Sequence, residues 1–223
     1  MSDVREWGLR EYGESLAEMR SLRAARRKGA IPDTLLLVEH PPVVTIGIQG
    51  DDSGAEESGL PTFHVERGGH STYHGPGQLV GYPIVDLTPR GRDVRRFVHE
   101  VEELVARALA DFGLRAERIS GRRGVWVGGG ARKIASVGVA IEEWVTFHGF
   151  ALNVSNDLSP FARFRPCGLD GQLMTSLDRE LGEPVSVADV IPGVRQAWAD
   201  LFGLANRDLA MLRSEPVAPP SLS

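Results

Sequence analysis

The chain has 223 residues, 42% hydrophobic and 25% charged, with a formal net charge of −5. That length suits one globular domain burying about 70% of the surface its unfolded chain exposes, with no need of a disulfide or metal staple. The single cysteine, Cys167, fits a reducing compartment; the charged first twenty residues exclude a secretory signal, and no run nears the ~18 apolar residues of a membrane span. The reading is a soluble, cytoplasmic protein that binds neither membrane nor nucleic acid.

Apolar residues Leu16, Met19 and Leu22 predict a helix over 14–27. TLLLVE (34–39) and VVTIGI (43–48) read as strands. The polar, glycine-rich stretch over 49–61 reads as a mobile surface loop. TFHVE (62–66) is a short strand, RGGHSTYHGPGQ (67–78) a glycine-rich segment, and LVGYPIVDL (79–87) a buried strand. Apolar residues recurring at i, i+3, i+4 and i+7 predict a helix over 93–112, ended by Gly113. Strands follow at 124–127, 133–141 and 144–154, the first two joined in a hairpin through Gly128, Gly129 and Gly130. A short helix is expected near 175–181. A final one is expected over 187–202, with Ser186 as N-cap and Asp189 completing a capping box. Paired strands without strict helix alternation predict an α+β fold, a mixed β-sheet with packed helices. The organisation expected is a single domain over 1–206 and a disordered tail over 207–223.

Of 25 Lys+Arg residues only Lys28 and Lys133 are lysine. Lys28 lies in a basic run and reads as a solvated helix end. Lys133 opens an apolar strand, and a partly buried lysine can give up its proton where an arginine cannot. Cys167 reads either as a small buried hydrophobe or, between Pro166 and Gly168, as a thiol in a turn whose N–H groups could hold an oxyanion. A neighbouring ammonium would lower its pKa, but spacing alone does not bring Lys133 beside it. The glycine-rich segment reads either as an ornate loop or as the wall of a pocket. His148 alone reads as a core histidine. His64, His70 and His74 lack the spacing of a zinc site, and phosphate-loop, dinucleotide and GxSxG motifs are absent, so no metal or cofactor is expected. The basic clusters Arg90, Arg92, Arg95 and Arg96, and Arg122 with Arg123, read as solvated surface or as a dock for an acidic carrier protein.

Taken in order, EHPPVVTIG, RGGHSTYHGPGQ, KIASVG, FHGFALNVSNDLSPF and PCG resemble the lipoyl/octanoyl transferase family, with the match running over about 36–181. The resemblance implies a fold shared with biotin and lipoate protein ligases. It implies Cys167 as acyl-thioester nucleophile and Lys133 as the residue lowering its pKa. It also implies an acyl pocket lined by Arg67, Gly68, Gly69, His70, Ser71, Thr72, Tyr73, His74, Ser136, Val137, Gly138, Gly149, Phe150 and Ala151. The donor implied is octanoyl-acyl carrier protein. The acceptors are lipoyl domains of 2-oxoacid dehydrogenase E2 subunits and the glycine cleavage H protein. Val137, Val139, Phe150 and Ala151 are expected to grip the chain, each buried CH₂ contributing about 0.8 kcal/mol. Three rivals remain open: an ATP-dependent lipoate or biotin ligase, a relative that moves octanoyl between two lipoyl-type proteins through a cysteine, and a non-catalytic acyl-carrier-binding module.

Overall fold

The computed structural model describes residues 2–50, 58–162 and 173–203. In chain order these form β1 (Ser2–Leu9), α1 (Tyr12–Arg27), β2 (Asp33–Glu39), β3 (Val43–Ile46), β4 (Thr62–His64), β5 (Ser71–His74) and β6 (Gln78–Ile84). There follow α2 (Val94–Ala110), β7 (Glu117–Ile119), β8 (Arg122–Val127), β9 (Arg132–Glu142), β10 (Val145–Asn153), a 3-10 turn (Ser159–Ala162), α3 (Leu177–Leu181) and α4 (Val187–Phe202). Only the ends of the loop expected over 49–61 are described, and the tail over 207–223 lies outside the described residues. No described helix is long and apolar enough to cross a membrane.

Seven strands make one sheet in the order β1-β2-β6-β10-β9-β8-β7, and three make a second, β4-β3-β5. β1 lies parallel to β2 and β4 parallel to β3, while the remaining strand pairs are antiparallel. The sheets are therefore mixed and the class is α+β, as the strand pairing predicted.

Alternation along β2 shows how the main sheet is covered on both faces. Leu35 and Leu37 join a core with Phe97, Val101 and Leu104 of α2 and Val190, Val194 and Trp198 of α4. Leu36 and Val38 join a second core with Tyr12, Leu16, Met19 and Leu22 of α1. Successive strand residues point to opposite faces, so a run of five buried residues in this strand requires cover on both. Helix α2 is started by the Asp93 carboxylate, which accepts from Arg96 N at 3.0 Å, and α4 by the predicted capping box of Ser186 and Asp189.

Three strands escaped the sequence. β1 is an edge strand, mostly half-exposed, whose SDVREWGL carries too many charges for an apolar alternation. β7 is three residues long at the opposite edge. β5 (STYH) lies inside the segment read as loop, yet all four of its residues are buried and pair with β3.

Candidate active site

A cleft of about 450 Å³, its open mouth included, lies where the small sheet and the 67–69 loop cross the main sheet. Tyr12 of α1, Arg67, Gly68, Gly69, Thr72 and His74 form one side; Val80, Tyr82, Ser136, Val137, Gly138, His148, Gly149, Phe150 and Ala151 form the other. Polar and apolar groups thus share the wall, the usual make-up of a small-molecule pocket.

The loop is braced from within by Arg67, which is 7% exposed. Its Nη1 donates to His70 O at 2.8 Å and Gly68 O at 3.2 Å, and its Nη2 to Thr45 O and Thr45 Oγ1, both at 2.8 Å. Gly68 N donates to Val139 O at 2.9 Å, which lays the loop across β9. This crossing is so close that a β-carbon at Gly138 would stand 3.0 Å from Gly68 O and 3.2 Å from Arg67 Cδ, and glycine is the residue that fits.

Around Arg67 and His74 stand two further imidazoles and two phenols: His148, Tyr12 and Tyr82, with His40 against His74 at a ring distance of 5.9 Å. Burial pushes His40 down to about 4 and His74 to about 3, the latter helped by neighbouring His40; burial likewise holds His148 at about 4 against a stabilising bond to Glu66. Burial pushes the Tyr12 and Tyr82 hydroxyls up. At neutral pH these five groups are uncharged. Neutrality fixes the tautomers. His40 Nδ1 donates to Arg10 O at 2.8 Å, so its Nε2 accepts from the Tyr82 hydroxyl at 2.7 Å. His148 adopts φ +56°, a strained backbone for a residue with a side chain, in the middle of β10. The hydroxyls of Thr72 and Ser136, both cleft-lining residues, are buried with no partner among the described residues. Both are left open to a ligand's hydrogen bond.

A line of hydrogen bonds leads from this loop to Lys133. Arg67 Nη2 donates to Thr45 Oγ1, Thr45 Oγ1 to His74 Nε2 at 3.5 Å, and His74 Nδ1 to Gln78 Oε1 at 2.7 Å. Gln78 Nε2 then donates to Asn153 Oδ1 at 2.9 Å, Asn153 Nδ2 to Thr175 O at 3.0 Å, and Thr175 N to Lys133 O at 3.0 Å. Lys133 itself is 2% exposed, paired with Trp126 across β8 and bridged to Met174. Its Nζ lies 5.8 Å from the Trp126 ring centroid. Its Cε is 2.6 Å from where a β-carbon would sit at Gly124, whose φ of +105° also favours glycine.

Eleven of the sixteen residues expected at the site line one cleft: Arg67, Gly68, Gly69, Thr72, His74, Ser136, Val137, Gly138, Gly149, Phe150 and Ala151. His70 is exposed, Ser71 pairs with Ile46 in the small sheet, and Tyr73 packs edge-on against Phe161 with ring centroids 5.7 Å apart. Alternation along β5 turns Tyr73 away from the face that Thr72 and His74 flank. Val139, also expected to grip the chain, packs instead against the core under α2 and α4. Lys133 stands outside the cleft lining, and Cys167 lies outside the described residues. Tyr12, Val80, Tyr82 and His148 line the cleft without having been expected there. Helical spacing puts Tyr12 four residues before Leu16, and strand alternation puts Val80 and Tyr82 together. Those signals mark a buried face but not what it is for.

The catalytic-domain model of lipoyl protein ligases A and B matches residues 11–199. The octanoyltransferase of Geobacter metallireducens is 48% identical over 217 residues, covering 97% of this chain and 99% of its own. That of Geobacter sulfurreducens is 46% identical over 191 residues, 86% of this chain and 80% of its own. Among solved structures, the bi-partite lipoate protein ligase of Thermoplasma acidophilum superposes with a TM-score of 0.64 at 16% identity, covering 95% of this chain and 89% of that one. Biotin protein ligase of Aquifex aeolicus in complex with biotin and ATP gives 0.58 at 11%, covering 90% and 70%. The last two speak to the fold, which is the ligase-like one expected. With its model matched over most of its length, the chain belongs to the lipoyl protein ligase A/B catalytic domain family.

Proposed function

We propose that this protein transfers an octanoyl group from octanoyl-acyl carrier protein to a lysine of a lipoyl domain, through a thioester on Cys167, with Lys133 as proton carrier. One observation carries the reading: 48% identity to an octanoyltransferase across nearly the whole of both chains. The acceptors are the lipoyl domains of 2-oxoacid dehydrogenase E2 subunits and the glycine cleavage H protein.

The chemistry runs in two halves. The Cys167 thiolate attacks the thioester carbonyl, forming a new C–S bond and an oxyanion; collapse breaks the old C–S bond and expels the carrier arm's thiolate. The Lys133 ammonium protonates that leaving sulfur and becomes neutral. The neutral amine then takes a proton as the acceptor lysine's nitrogen attacks the Cys167 thioester, leaving an amide and the restored thiolate. A thioester converts to an amide downhill, so the cycle consumes no ATP.

Three features support this assignment. Lys133 is the only lysine sheltered in a strand, where a proton can be gained and lost. Met174, bridged to Lys133, stands seven residues after Cys167, and that tether spans at most roughly 25 Å. The apolar cleft wall of Val80, Val137, Phe150 and Ala151 suits a fatty chain.

Intact mass after mixing with octanoyl-acyl carrier protein tests the proposal. Wild type should gain one octanoyl group; Cys167→Ala should gain none, and Lys133→Arg should lose about a hundredfold in turnover although its charge remains. An unmodified wild type would mark a binding module. Transfer from free octanoate and ATP, with none from the carrier, would mark a ligase. Wild-type rates in Lys133→Arg would remove proton transfer from the role of position 133.

A further inference from the structure

A second depression adjoins the cleft on the α2 side of β8. Its floor is apolar, from Val94, Val98 and Ile119, and its rim carries Arg95, Arg118, Arg122 and Arg123. With its open mouth it encloses about 1130 Å³. Four guanidiniums gather here on a chain whose net charge is −5, against one lining carboxylate, Glu102. Glu102 is buried and already accepts from Gly124 N at 2.9 Å. Arg118 shares the neighbouring Glu103 at 3.7 Å, and Arg122 stacks on Trp126 with its central carbon 3.6 Å from the ring centroid. Arg95 and Arg123 are exposed and make no ion pair among the described residues.

Position gives this groove a role. Arg123 Nη1 reaches Gly68 of the cleft loop, 3.3 Å from the site a β-carbon there would take. The next residue, Gly124, packs under Lys133 Cε. The groove thus runs from open solvent to the place where the acyl cleft and the lysine strand meet. A ligand suited to it has a doubly bonded-oxygen anion for the arginine rim, an apolar stem for the floor, and a reactive end that passes Gly68.

We propose that this groove holds the phosphodiester of the carrier's phosphopantetheine arm while the thioester at the arm's tip enters the cleft. The proposal rests on the acyl donor named under the proposed function. Arg95 and Arg123 supply the free cations, and the valine floor takes the arm's branched hydrocarbon stem.

Paired donors test it. One is octanoyl-acyl carrier protein; the other is the octanoyl thioester of N-acetylcysteamine, which has the same reacting group and no phosphate. Arg95→Glu combined with Arg123→Glu should raise KM for the carrier donor about tenfold or more, and its salt dependence should flatten. Turnover of the short thioester should stay within about twofold, with an unchanged melting temperature showing that the variant is folded. An unchanged KM for the carrier donor overturns the proposal, and so does an equal loss with both donors. If the wild type accepts acyl groups from neither donor, the proposed activity fails by itself. Equilibrium binding then decides the groove: carrier protein bearing its arm should bind more tightly than carrier lacking it, and the double variant should erase that difference. Equal binding of the two carriers by wild type overturns the groove.

Discussion

The main sheet is covered on one face by α2 and α4 and on the other by α1 and the small sheet, and the two sides are built on different physics. On the helical side Trp198 and Phe202 stack with centroids 4.4 Å apart, Phe97 meets Phe202 edge-on, Arg90 caps the Phe202 ring at 4.8 Å, and aliphatic side chains make up most of the rest. Stability there follows volume and area removed from water. On the cleft side the buried groups include Arg67, His40, His74, Gln78, Asn153 and His148. Each needs a partner of the right hydrogen-bond type, and no apolar residue of similar size replaces one without stranding its neighbour. A scaffold tolerates repacking; a binding wall specified by donors and acceptors does not.

The largest expected effect breaks the helical side. Trp198→Ala, which empties a site 1% exposed, should cost about 3–5 kcal/mol in urea unfolding and leave the pH dependence of stability unchanged. The next acts on the cleft side alone. His40, His74 and His148 have folded pKa values of about 4, 3 and 4, below the ordinary histidine value, so the unfolded chain binds more protons as the solution acidifies. Their contribution is complete above pH ~6.5 and is lost as pH falls through that value toward ~4. At pH ~5.5 each should cost about 1 kcal/mol, lowering the melting temperature by roughly 10 °C for all three together. His40→Gln should remove about a third of that slope, and a slope unchanged in this variant would take His40 out of the account. The smallest effect belongs to the periphery: Glu6→Ala breaks a half-exposed pair with Arg195 and should cost less than about 1 kcal/mol by thermal melt.

How much of this was legible in the sequence differed between the same two sides. Helix α2 could be read from the spacing of Phe97, Val101, Leu104 and Leu109, because packing on one face imposes that period. The cleft could be read in part, since RGGHSTYHGPGQ crowds glycines among polar residues. What stayed hidden was direction. Thr72 and His74 flank the cleft while Tyr73 turns to Phe161, an alternation invisible until STYH is known to be a strand. Arg67 looked like a group to hold a ligand, yet its Nη donors are spent on Thr45, Gly68 and His70. Tyr12 comes from a helix some fifty residues earlier, and only the tertiary fold brings it to the loop.

The bonds from Arg67 to the Lys133 carbonyl have one consequence that their distances do not express. Every link donates in the same sense, guanidinium to hydroxyl to imidazole to amide to amide to backbone, so the chain of dipoles has a polarity. Overturning the Gln78 or Asn153 amide sets N–H against N–H on one flank and oxygen against oxygen on the other. A proton placed on His74 Nε2 evicts the Thr45 hydrogen that points at it. The mouth of the cleft and the strand bearing the amine therefore keep or lose their alignment together.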